Sequence, residues 1–210
     1  MSFSGVVRSG YVLKCAWIAL ALAGLLALSG CWVSSINPLY DEGTIDHPHD
    51  DSDVVFEQSL IGSWTATQDK CTTLLAIAAS DQGYELQSAD QGEGCSENKS
   101  HRHVILVKLG THYFLDVEPM PADVCDMCAG KHDILLAKFD NGTLSLTPID
   151  SDWLKKSLGA KTVALATVAG DTDTITASSK DLKAFFRKFA ENKEAFRPES
   201  AAIFKRKEVS

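Results

Sequence analysis

Residues 104–117 read Val104-Ile105-Leu106-Val107-Lys108-Leu109-Gly110-Thr111-His112-Tyr113-Phe114-Leu115-Asp116-Val117, two apolar runs parted by a Gly-Thr pair. Runs of this length, rich in β-branched and aromatic residues and bounded by a turn signal, are strands. Gly at the first turn position suits a tight type II′ reversal, so the stretch predicts a β-hairpin. A second hairpin follows, in which Ile134 to Asp140 meets Asn141-Gly142 and returns as Thr143 to Pro148. In the return strand Leu144 and Leu146 share one face and Thr143, Ser145 and Thr147 the other, an alternation that implies one buried and one wet side.

Further strands are expected outward from this centre: Ser59 to Thr65, Thr72 to Ala78, Tyr84 to Ser88, Val163 to Val168, Thr174 to Ala177 and Ala201 to Arg206. Ala76 to Ala79 would equally suit a helix. Asp150 to Leu158 reads as a short helix capped by Asp150 or Ser151 and ended by Gly159. A second helix begins near Ser178 or Ser179, where Leu182, Phe185, Phe186 and Phe189 recur at helical spacing. Such a stripe packs on the chain's own sheet and seals a face or mouth of a barrel; the competing reading lays it on anionic lipid. The expected fold is therefore mainly β, an antiparallel barrel or sandwich, with a short helix and a C-terminal amphipathic α-helix. It forms a single domain over residues 58–210.

The N-terminus reads as an address. Arg8 and Lys14 are the only charges in the first 30 residues, and residues 15–28 are an uncharged apolar run. That run is shorter than the roughly 20 residues a bilayer span needs and has the size of a secretory signal's apolar region. It ends in Leu28-Ser29-Gly30-Cys31, which resembles the lipobox of bacterial lipoproteins. The resemblance implies that residues 1–30 are a signal peptide and that Cys31 becomes a lipid-carrying mature N-terminus, held in the membrane by its acyl chains. Trp32 stands where, in that family, an aspartate marks retention in the inner membrane. The implied place is the bacterial cell envelope, with the periplasmic face of the outer membrane favoured over the inner membrane. Apart from that covalent lipid no cofactor is expected.

The chain carries a formal charge of −8, with 20 Lys and Arg against 28 Asp and Glu. An acidic body argues against nucleic acid as a partner, because phosphates need a basic patch. The charge is uneven. No Lys or Arg occurs from Trp32 to Asp69, whereas the residues from Ser178 onward are locally basic. Residues 31–57, with Asp41, Glu42, Asp46, Asp50, Asp51, Asp53 and Glu57, read as an extended acidic tether. Within it, Asp46-His47-Pro48-His49-Asp50-Asp51 carries divalent-metal donors that nothing preorganises, so the solvated reading is preferred.

Gly62-Ser63-Trp64 at the first strand resembles the Gly-x-Trp signature of lipocalins. The resemblance implies a calycin-like barrel whose tryptophan plugs the closed end and whose late helix follows the last strands. The family also covers that tryptophan with an arginine near the barrel's end. No Arg occurs between Arg102 and Arg187, and there the chain departs from the pattern.

Four cysteines remain once Cys15 leaves with the signal and Cys31 takes lipid: Cys71, Cys95, Cys125 and Cys128. An even number in an oxidising compartment points to disulfides, and of the three pairings Cys71–Cys95 with Cys125–Cys128 is favoured. Cys125-Asp126-Met127-Cys128 has two sharper readings. A redox pair needs a stabilised thiolate, which Asp123 and Asp126 oppose. A metal site would join Cys125 and Cys128 to His132, with Cys95, His101 or His103 as further donors, but only one paired-ligand knuckle is present. No P-loop, Gly-x-Ser-x-Gly or His-Glu-x-x-His occurs, so no catalytic mechanism is assigned. The expectation is a membrane-tethered binding or structural module, not an enzyme, for a small apolar ligand or an envelope protein. The alternative is an envelope thiol-disulfide or metal-binding protein using Cys125 and Cys128. A hollow barrel would favour a ligand carrier and a solid one a scaffold.

Overall fold

The hairpin at residues 104–117 is the middle of a closed antiparallel barrel. The computed structural model describes residues 33–41, 51–68, 70–93, 95, 98–119, 130–140 and 142–207. In chain order the strands up to the second hairpin are β1 (Ser34–Ser35), β2 (Gly62–Gln68), β3 (Cys71–Ser80), β4 (Gly83–Gly92), β5 (Lys99–Leu109), β6 (His112–Pro119), β7 (Asp133–Asp140) and β8 (Thr143–Pro148). After β8 lie α1 (Ser151–Gly159), β9 (Thr167–Val168), β10 (Asp171–Ile175), α2 (Ser179–Phe189) and β11 (Ala202–Arg206). The barrel order is β11-β2-β3-β4-β5-β6-β7-β8, a meander that β11 closes by pairing with both β8 and β2. The turn glycine of the first hairpin, Gly110, has φ +67, which is the left-handed geometry a II′ turn requires at that position.

Two apolar cores share the barrel wall. The inner one holds the inward side chains, among them Trp64, Leu75, Leu86, Leu106, Leu115, Leu135, Leu146 and Phe204. The outer one lies between the outer faces of β5, β6 and β7, through Ile105, Val107, Phe114, Ile134 and Leu136, and the two helices. This explains why residues 104–109 and 134–137 are apolar without alternation: both faces of those strands are covered. α2 buries Leu182, Phe185 and Phe186, with Phe114 and Phe186 ring centroids 5.3 Å apart. The phenylalanine stripe thus packs on the outside of the barrel wall. Asp150 caps α1 by accepting the Trp153 N–H, and Ser178 caps α2 by accepting the Asp181 N–H.

One alternative is settled in favour of the expected strand, and two expectations are corrected. Ala76 to Ala79 belongs to β3, where pairing to both β2 and β4 overrides helical propensity. Val163 to Val168 is a strand only at Thr167–Val168, because the Thr162 and Val163 N–H groups donate to the Ser157 carbonyl and tie that stretch to the end of α1. Residues 33–41 and 51–57 do not stand off as a solvated tether. Val33, Leu39 and Tyr40 are buried in the outer core, and Ser34–Ser35 pairs in parallel with β10 to form a small sheet, β1-β10-β9. The acidic side chains find cations: Asp51 and Asp53 lie 2.5 and 3.0 Å from Lys183 Nζ, and Arg187 is 3.7 Å from Asp53. Burial alone would raise the Asp51 pKa, but Lys183 and the backbone N–H groups of Asp53 and Asp41 hold it below the usual carboxylate range.

Candidate binding cavity

Alternation decides which side chains enter the barrel. Pairing sets Trp64 opposite Leu75 and Arg206, Leu86 opposite Arg102, Ser88 opposite Ser100, and Val117 opposite Asp133. Partners across a ladder share a face, so all of these are on the inner side. They do not fill it. A cavity of about 880 Å³ lies among Trp64, Thr73, Leu75, Arg102, Asp133 and Phe204 with their neighbours. That is the size at which pockets bury small organic molecules.

One end of the barrel is plugged. A 3-10 turn at Gln58–Leu60 puts Leu60 against the inner core, and Trp64 Nε1 donates to the Leu60 carbonyl at 3.0 Å. The Arg206 guanidinium lies over the Trp64 ring, 4.3 Å from its centroid, and donates to the carbonyls of Ile61 and Ser59. Gly62 has φ +145, and a Cβ there would stand 2.5 Å from Arg206 Nη1. Gly62, Trp64 and Arg206 therefore act as one closure. An arginine does cover the tryptophan, supplied by the last strand, beyond the segment between Arg102 and Arg187 that lacks one.

The far half of the cavity is polar. The Thr73 hydroxyl donates to Asp90 Oδ1 at 2.7 Å, and the Ser88 and Ser100 hydroxyls are 2.8 Å apart. The Asp133 carboxyl makes no hydrogen bond among the described residues. Burial, partly offset by Arg102 and reinforced by Asp116, pushes its pKa up to about 6. Arg102 makes a single long hydrogen bond, 3.5 Å to the carbonyl of His101. The cavity thus runs from an apolar aromatic floor to a polar tier lined by Asp90, Lys99, Arg102, Asp133 and Lys207.

No protein-family model, curated protein or solved structure matches this chain.

The expected site residues divide. Cys71 and Cys95 are disulfide-bonded, with Cα atoms 5.6 Å apart, pinning the segment after β4 to the start of β3. Cys31, Cys125, Cys128 and residues 46–50 lie outside the described residues. His132 is on the outer face of the barrel, not in the cavity. Its Nδ1 is 2.7 Å from Asp116 Oδ1, and the other Asp116 oxygen accepts the Leu39 N–H at 2.6 Å. Burial would lower the His132 pKa, but the adjacent carboxylates, Asp116 first, raise it. Buried and engaged by Asp116, His132 serves to pin the segment Val33–Tyr40; its backbone also exchanges two 2.8 Å hydrogen bonds with Ser35. No cluster of three or more His, Cys, Asp or Glu side chains suited to a metal occurs among the described residues. His101 and His103 face the outer side, 3.3 and 2.6 Å from Glu85 and Glu118.

Arg102, Asp133 and Arg206 were not singled out by the sequence. A signal exists for the first two: each is a charge next in inward parity to apolar positions of its own strand, Val104 and Leu106 in β5, Leu135 and Ala137 in β7.

Proposed function

We propose that this chain is a lipid-anchored protein of the bacterial cell envelope whose calycin-like barrel holds a small, largely apolar molecule, without a catalytic step of its own. The observation that carries the reading is the cavity of about 880 Å³ above the Trp64 floor, where a scaffold barrel would be solid. The closure by Gly62, Trp64 and Arg206 supports the calycin-like assignment. The Cys71–Cys95 bridge agrees with an exported protein, since disulfides persist in oxidising compartments. Anchoring rests on Leu28-Ser29-Gly30-Cys31, and the outer membrane is preferred because Trp32 follows the cysteine.

Two measurements test the two halves. Mass spectrometry of the native N-terminus is expected to show cleavage before Cys31 and three acyl chains; an unmodified N-terminus rejects the anchor. An apolar fluorophore that brightens in dry sites is expected to bind the purified protein with one-to-one stoichiometry. Replacing Leu75, on the cavity wall, with Trp is expected to abolish that binding while the melting transition persists. Unchanged binding in Leu75→Trp rejects the cavity as the site.

A further inference from the structure

The outer layer holds a cluster of titratable groups that the cavity does not use. Leu39 donates its N–H to Asp116 Oδ2 at 2.6 Å, and Asp116 Oδ1 lies 2.7 Å from His132 Nδ1. The other ring nitrogen, Nε2, faces Glu118 Oε2 at 3.9 Å. Both nitrogens of His132 thus look at carboxylate oxygens. An imidazolium donates from both, whereas a neutral imidazole must turn one lone pair toward an anion. Tyr40 covers the ring from the segment side, edge-on with centroids 6.4 Å apart. The nearby acids are Asp116 and Glu118 from β6 and Asp133 from β7. From β5, His103 Nδ1 lies 2.6 Å from the second Glu118 oxygen, and Lys131 donates to the Thr174 hydroxyl. Burial disfavours charge on His132, and the carboxylates, Asp116 first, more than offset it, so the seated ring holds its proton more tightly than an ordinary histidine. If that proton leaves, Asp116 stays buried with no cation against it, the costly outcome of taking one charge from an enclosed pair. Ser34 and Ser35 are held differently, by backbone pairing to β10 and to His132 that no proton controls. We propose that Leu39 and Tyr40 form a proton-held latch, seated against β6 while His132 is charged and let go when it is neutral, with β1 staying in place. The latch belongs to the outer layer and does not depend on what the cavity holds.

A ring that holds its proton more tightly when seated than when open contributes fully below 6.5, the ordinary histidine value, and loses that contribution as pH rises through the seated value. The test is amide hydrogen exchange on the full chain from pH 6 to 9.5, each rate divided by that of the unstructured peptide at the same pH, with ¹⁵N spectra reporting the charge of His132. Leu39 protection is expected to fall about tenfold per pH unit between 6.5 and the pKa that the spectra give for the seated ring, while the Ser35 and Phe114 amides keep theirs. His132→Gln keeps a donor toward Asp116 but takes no proton, so its Leu39 protection is expected to be low and independent of pH. Asp133→Asn removes the neighbouring acid that titrates near 6 and is expected to leave the profile in place. A flat Leu39 profile in the wild type, a His132 ring that titrates at or below 6.5, a pH dependence that survives in His132→Gln or one that vanishes in Asp133→Asn overturns the latch. Simultaneous loss at Ser35 overturns the division between Leu39–Tyr40 and β1. Where the glutamine variant does not fold, the profile and the spectra of the unmutated chain decide.

Discussion

Asp133 is where a single residue's chemistry has a consequence for the whole fold. Its ordinary pKa of 3.8 rises to about 6 in the barrel, so ionising it there costs about 3 kcal/mol relative to the unfolded chain. Between those two values the folded state holds a proton that the unfolded chain has lost. Stability therefore falls as pH rises across that window, and the deficit is complete above it. Asp133→Asn, close in shape to the protonated acid, is expected to match the wild type in urea melts at pH 3.5 and to exceed it by about 3 kcal/mol at pH 7.5. Equal midpoints at pH 7.5 would refute the desolvated carboxyl. Both Asp133 and Arg102 sit on strands that pattern reading finds, yet their role escapes it. A strand's period gives the face, but only closure into a barrel shows that this face encloses space. His132 shows the opposite failure. Its type and its nearness to Cys125 and Cys128 make it look like a ligand, and folding turns it outward against Asp116, a partner 16 residues away in the chain.

At the scale of elements, β11 does most with least. Five residues close the barrel between β8 and β2, and its register with β2 consists of two pairs, Lys205–Thr65 and Arg206–Trp64. Stacking and two carbonyl contacts from Arg206 reinforce that seam. Arg206→Ala is expected to lower stability by about 1–2 kcal/mol, the sum of one cation–π contact and lost hydrogen bonds. Arg206→Lys is expected to recover little, since an ammonium lacks the planar fork. A lysine variant as stable as the wild type would show that charge alone matters there. The hairpins around Gly110 and Asn141-Gly142 and the two capped helices were legible because each carries its own stop signal. The segment 33–41 was not. Its strand is two residues long, and its buried Val33, Leu39 and Tyr40 follow no period, so only the outer core and the Asp116–Leu39 bond reveal its place.

For the whole molecule, the barrel wall is a shared partition, with an aromatic layer outside and a partly empty chamber inside. The Cys71–Cys95 bridge spans 24 residues beside that chamber. In the chain-entropy account a loop of that length contributes about 3 kcal/mol. The double variant Cys71→Ser, Cys95→Ser is expected to unfold at correspondingly lower urea concentration, and a midpoint insensitive to reductant in the wild type would contradict the bridge. The charge asymmetry of the sequence has its explanation at this scale too. The acidic early segment and the basic late helix are complementary surfaces that meet at Asp51, Asp53, Lys183 and Arg187, rather than a leash and a separate basic patch.

The burial of Val33 sets how such a molecule would ride on a bilayer. Trp32 alone separates it from Cys31, and two residues reach about 7 Å at full extension. An acylated Cys31 would moor the barrel by its flank with almost no slack. The protein would then keep one constant attitude toward the lipid, like a boat tied broadside to a quay.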